Sequence, residues 1–147
     1  MFFGHNICKS TTPYSLSSGV AAGLGDTQLS TVLDMGESQG ALFVVQLGTV
    51  AAGGTGTIQL QSSEDNGVTD PFANIAATAQ AFTSTNSGHA FVVDLSRPQK
   101  RYHQVAIARA GTGDTTIQSV TALKYHVGVA PETPGTNVDG VLETYNV

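Results

Sequence analysis

Apolar residues in this chain come in short runs separated by glycine, proline and small polar clusters, and the runs follow strand spacing rather than helix spacing. Residues 41–47 form an apolar run broken only by Gln46 and bounded by Gly40 and Gly48, which predicts a strand covered on both faces. Residues 57–61 alternate cleanly, Ile58 and Leu60 on one side and Thr57, Gln59 and Gln61 on the other, so a half-buried strand is expected there. A first strand is expected over 28–35, carried by Leu29, Leu33 and Met35. Residues 72–82 carry conflicting signals. Phe72, Ile75, Ala76 and Ala79 sit at helical spacing, whereas Thr78 and the threonines beyond favour strand, and the segment reads as a short irregular strand.

The stretch from His89 to Arg109 dominates the second half. Ala90, Phe91, Val92, Val93 and Leu95 make one β-favouring run, and Tyr102, Val105, Ile107 and Ala108 make another. A polar Pro98-containing connector joins them, and the pair is expected to form an antiparallel hairpin. Residues 115–127 give the last strand, anchored by Ile117, Val120, Leu123 and Tyr125. The parity slip between Ile117 and Val120 predicts a β-bulge. Ile58, Leu60, Phe91, Val93, Val105, Ile107 and Leu123 are the expected core.

Seven or eight short strands with regular turn signals and no strong helix predict an all-β fold, an antiparallel jelly-roll-like β-sandwich. Residues 1–25 and 129–147, rich in Ser, Gly and Pro, read as extended N- and C-terminal arms around a single core over 26–128.

Composition narrows the functional classes. The chain has 147 residues, of which 12% are charged, and a net charge of −5. Such an acidic chain is not expected to bind nucleic acid. No stretch nears the roughly 18 apolar residues of a membrane span. Residues 1–6 show neither a basic nor an apolar signal region, so a soluble protein made in a cytoplasm is expected. Cys8 is the single cysteine, which excludes an intramolecular disulfide.

Candidate chemistry is sparse. Residues 36–40 spell G-x-S-x-G around Ser38, but that motif needs a following helix, and residues 41–47 are strand-like, so a turn is expected. Glu64, Asp65, Asn66 and Asp70 offer oxygens without the alternate spacing of an EF-hand. A solvated turn, with Asn66-Gly67 taking positive φ, is expected, and whether it binds an ion stays open. His5 and Cys8 lack a second ligand pair, and His89, His103 and His126 fall on separate segments. No metal, cofactor or catalytic group is expected. Arg97, Lys100 and Arg101 supply half of the six Lys and Arg residues at one connector, suiting either a solvated tip or contact with an acidic partner.

The order of these features resembles the small jelly-roll decoration, or cement, proteins of tailed bacteriophages. The residues that carry it are 57–65 (TIQLQSSED), Phe91-Val92-Val93-Asp94-Leu95, and Lys100-Arg101-Tyr102-His103-Gln104-Val105; it covers about 28–127. The resemblance implies a non-enzymatic virion protein on the capsid surface whose partners are the major capsid protein and itself, as a homotrimer or alternatively a dimer. It implies contacts through Arg97, Lys100 and Arg101 and through apolar anchors in the arms: Phe2, Phe3 and Tyr14, then Leu142 and Tyr145. Where relatives commonly carry a second basic residue after the tyrosine, this chain has His103-Gln104. The alternative is a neck- or fibre-associated jelly roll that binds a receptor or glycan.

Overall fold

A computed structural model describes residues 13–36 and 38–127. Ten strands follow in order: β1 (Pro13–Gly23), β2 (Thr27–Leu29), β3 (Leu33–Asp34), β4 (Ser38–Val50), β5 (Gly54–Ser63), β6 (Ala73–Asn74), β7 (Gln80–Thr83), β8 (Ala90–Ser96), β9 (Tyr102–Gly111) and β10 (Thr115–Val127). One 3-10 turn, Ser84–Asn86, follows β7 and is closed by a capping box between Thr83 and Asn86.

All pairings are antiparallel and divide into two sheets. The front sheet has the order β1-β10-β4-β8, and the back sheet β2-β9-β5-β6, with β3 beside β9 and β7 beside β5. Taken as one interrupted strand, β2 and β3 share an edge, as do β6 and β7. The eight resulting strands then stack 1-8-3-6 against 2-7-4-5, which is the jelly-roll arrangement. The expected fold class is therefore found.

Alternation explains the core. From the front sheet, Ala41, Phe43, Val45 and Leu47 of β4 point inward with Ile117, Val120 and Ala122 of β10 and Leu16 of β1. From the back sheet, Ile58, Leu60, Val105, Ile107 and Phe82 meet them. Five of the seven expected core residues are buried: Ile58, Leu60, Val93, Val105 and Ile107. Phe91 is half-buried, packed on the core and edge-to-face with Phe82 at 6.4 Å between ring centres. Leu123 is half-buried and pairs with Leu42 rather than joining the interior cluster, because the bulge shifts parity before it is reached. That bulge lies where expected, between Ile117 and Ser119.

Two expectations need correction. The N-terminal arm does not extend to residue 25: β1 is an edge strand of the front sheet, paired along β10, with Leu16 buried. Its Ser- and Gly-rich composition reflects two bulges and positive φ at Gly19 rather than loop structure. Second, β8 and β9 are not a hairpin. They lie in opposite sheets, and 97–101 crosses between them. Arg97 takes a positive φ of 62° there, and its N–H bonds the Gln39 carbonyl at 2.9 Å, which swings the chain off the front sheet.

Candidate functional site

The crossover 97–101 and the features around it occupy one end of the sandwich. Gly40 in β4 sits opposite Ser96 on one side and Tyr125 on the other. Val127 pairs with Ser38, and Pro13 pairs with Leu123, four residues back along β10. Both ends of the described chain thus reach the same end of the front sheet as the crossover. The back sheet brings Asp34 and Ser63 to that end, flanking Tyr102.

The three cations expected to meet a partner differ sharply. Arg101 makes a two-pronged ion pair with Asp34, Nε to Oδ1 at 2.9 Å and Nη2 to Oδ2 at 2.8 Å, and its guanidinium lies 5.1 Å from the Tyr102 ring centre. The Arg101 bonds, joined by the Gly36 N–H, hold the Asp34 carboxyl below the ordinary carboxylate range. Lys100 Nζ reaches Asp70 Oδ2 at 2.6 Å, and together with the Glu64 N–H it lowers the Asp70 pKa. Arg97 is exposed and makes no ion pair among the described residues. Two of the three charges are therefore matched within the chain, and Arg97 is left to face outward.

The acidic turn beside Lys100 is an intramolecular scaffold. Asp65 accepts from the backbone N–H groups of Val68 (3.1 Å), Thr69 (2.7 Å) and Asp70 (3.1 Å) and from the Thr69 hydroxyl. The Thr69 hydroxyl, then those amides, hold its carboxyl far below the usual range. Asn66 and Gly67 have φ of 62° and 79°, as the Asn-Gly sequence predicts. Carboxylate oxygens turned toward N–H groups are not arranged for a cation, and no cluster of three acidic, His or Cys ligands exists among the described residues. Ser38 opens β4 with its N–H on the Met35 carbonyl, so the G-x-S-x-G segment is a strand-entry turn.

His103 is buried in the back sheet with Nδ1 unpartnered; burial is the main cause that lowers its pKa to about 4. His89 is exposed near Asn86. Of the anchors in the terminal segments, Phe2, Phe3, Leu142 and Tyr145, with His5 and Cys8, lie outside the described residues. Tyr14 pairs with Ala122 through its backbone.

Sequence reasoning missed the two outer faces. On the front sheet Leu42, Val44, Val92 and Leu123 form an apolar strip, and the Tyr125 ring lies over Gly40, where any Cβ would collide with it at 2.3 Å. The Tyr125 hydroxyl donates to Asp94; burial first, and this bond second, push the phenol well above its ordinary value. On the back sheet an amide ladder crosses three strands, Gln104 Nε2 to Gln61 Oε1 at 2.8 Å and Gln61 Nε2 to Asn74 Oδ1 at 2.9 Å. Strand alternation at 59, 61 and 104 was its signal in the sequence.

No protein-family model matches the chain, and no curated protein matches it. Solved structures do. The PBSX exported protein XepA superposes with a TM-score of 0.52 and 15% identity, over 97% of this chain and 45% of that one. CBM4 follows at 0.48 and 12% identity, over 65% and 60% of the respective chains. The carbohydrate binding module CBM6cm-2 from Cellvibrio mixtus lichenase 5A, in complex with cellotriose, gives 0.33 and 14%, over 80% and 99%. The chain thus spans 60% or less of the first two. The likeness to XepA agrees with the β-sandwich read from the strand order.

Proposed function

We propose that this chain is a non-catalytic structural protein of a tailed-phage virion that docks on the outer surface of the capsid shell and strengthens it. The observation that carries the reading is the convergence at one end of the sandwich. The crossover with outward-facing Arg97 and the attachment points of 1–12 and 128–147 lie together there. A rigid β core then presents one end to an acidic lattice, while apolar anchors in the adjoining segments add contact area. Preorganisation of the core offsets part of the ordering cost of those segments. Repetition over a lattice turns weak single contacts into firm attachment. The fold likeness to a phage (PBSX) exported protein supports the same setting.

The test uses shells of the phage that encodes the chain, stripped of it and then supplied with the full-length protein or with Arg97→Glu. The wild-type chain should rebind and raise the temperature of shell disruption, and Arg97→Glu should bind more weakly. Binding should weaken with salt without vanishing, because the exposed charge is screened and the apolar anchors are not. Shells equally stable without the protein, and no rebinding, would overturn the proposal.

A second reading, glycan binding, is favoured by one observation: the Gln104–Gln61–Asn74 ladder carries planar amides across the outer side of the back sheet, from buried Gln104, two residues from Tyr102 in β9, through half-buried Gln61 to exposed Asn74. A glycan array probed with the full-length protein separates the two. Saturable binding abolished by Gln61→Ala would favour the glycan reading.

A further inference from the structure

The sandwich has four sheet edges, and three are blunted in ways that block pairing with another chain. The β1 edge carries two bulges. The β2/β3 edge is broken into strands of three and two residues, and the β6/β7 edge into two and four. Short, interrupted or bulged edges are how β-proteins protect unpaired N–H and C=O groups. The fourth edge, β8, has no such device. It runs unbroken for seven residues, AFVVDLS, pairs in regular register with β4, and has no described strand on its other side.

Its parity is fixed at both ends. The Leu47 N–H bonds the His89 carbonyl at 3.0 Å, and the Arg97 N–H bonds the Gln39 carbonyl at 2.9 Å, so odd-numbered residues turn toward β4. Ala90, Val92, Asp94 and Ser96 therefore direct their N–H and C=O groups outward. The Gln80 side chain, which reaches the Val92 carbonyl at 3.4 Å, touches one of these groups and leaves that oxygen a second lone pair. Val92 is also 48% exposed on the outer face, one of few large apolar side chains so placed.

We infer that the β8 edge joins β8 of a second copy across a two-fold axis at Val92, merging two front sheets into one. Antiparallel pairing of identical edges is self-complementary. A two-fold at Val92 sets Val92 against its counterpart and each Asp94 against Ala90, with about six ladder hydrogen bonds. The two carboxylates are then about 13 Å apart along the strands, which salt screens. A two-fold at Asp94 would instead oppose like charges, which is destabilising. The strip is short, roughly 23 Å, and buries less than the ~800 Å² per partner of a standard interface. The dimer is therefore weak, in the micromolar range. It differs from the trimer that the resemblance implies and does not depend on shell binding.

Sedimentation of the full-length protein over a concentration series tests it. The wild-type chain should show a monomer–dimer equilibrium. Val92→Pro removes an outward N–H that the fold does not use, and Val92→Lys places a charge on the edge. Each should weaken dimerisation at least about tenfold, with the Val92→Lys melting temperature unchanged. A monomer at all concentrations, a trimer, or a dimer indifferent to Val92→Lys would overturn the inference. So would loss of dimer in a full-length Leu142→Asp/Tyr145→Asp variant, which would give the edge to the C-terminal segment.

Discussion

Arg109 of β9 clasps Asp26 in a two-pronged ion pair, Nε to Oδ1 and Nη2 to Oδ2 both at 2.6 Å, while its Nη1 donates to the carbonyls of Ala21 and Thr115 at 2.8 and 2.9 Å. The guanidinium is buried, and it ties β9 of the back sheet to the end of β1 and the start of β10 in the front sheet. It closes the end of the sandwich opposite the 97–101 crossover.

Gly23 makes room for this clasp, since a Cβ there would lie 2.5 Å from Arg109 Nη2. Gly23→Ala should cost about 1–3 kcal/mol, the scale of overpacking, measured by urea denaturation. Asp26→Ala, which strands a buried cation, should destabilise more than Arg109→Met, which removes the charge. The Arg109 bonds lower the Asp26 pKa to about 2. Its contribution to stability is therefore complete above the unfolded value near 3.8 and is lost as pH falls through about 2.

His103 gives a pH dependence in a milder range. Folded, it titrates near 4, against 6.5 when unfolded, so the unfolded chain gains a proton that the folded chain refuses. Stability is full above 6.5, declines from 6.5 to 4, and levels off below. Between pH 7 and 5 the loss should be about 2 kcal/mol. A His103→Leu variant should flatten that part of the curve in denaturant titrations.

Phe82 is 1% exposed, whereas Phe91 meets it from a half-buried position. Phe82→Ala should cost about 3–5 kcal/mol, and Phe91→Ala measurably less. Equal losses would mean that β8 packs more deeply than its exposure indicates.

Asp65 organises the turn before Asp70, so Asp65→Ala should speed amide exchange at Val68, Thr69 and Asp70. Millimolar calcium should leave the wild-type melting temperature unchanged, because the Asp65 oxygens already accept five hydrogen bonds, the Ser63 hydroxyl being the fifth donor.

Much of the fold was legible because burial imposes period-two alternation. Ile58 and Leu60, the run 41–47, and the parity slip after Ile117 each identified a strand or a bulge. Connection type was not legible. A polar, proline-containing link between two β-favouring runs serves a hairpin and a sheet-to-sheet crossover equally well, because side-chain alternation records which face is buried and not which neighbour is paired. Strand β1 was missed because an edge strand can carry Ser and Gly where a central one cannot. At the candidate site, Lys100 and Arg101 read as outward charges because their partners, Asp70 and Asp34, lie 30 and 67 residues away in sequence.

The strand order carries a consequence for how the chain is made. β1 leaves the ribosome before the other described strands, yet among them it pairs only with β10, the last in order. At ordinary synthesis rates, the roughly ninety residues between them take about 5–20 s to appear. β4, the centre of the front sheet, likewise waits for both β8 and β10. Among the described strands, only β5 and β6 are neighbours both in sequence and by direct pairing, so little structure can form locally and the native contacts arrive together. Such a chain folds in milliseconds to seconds once complete, and until then the apolar run 41–47 stays exposed. Folding yield during fast expression, rather than the stability of the finished sandwich, is where this topology is vulnerable.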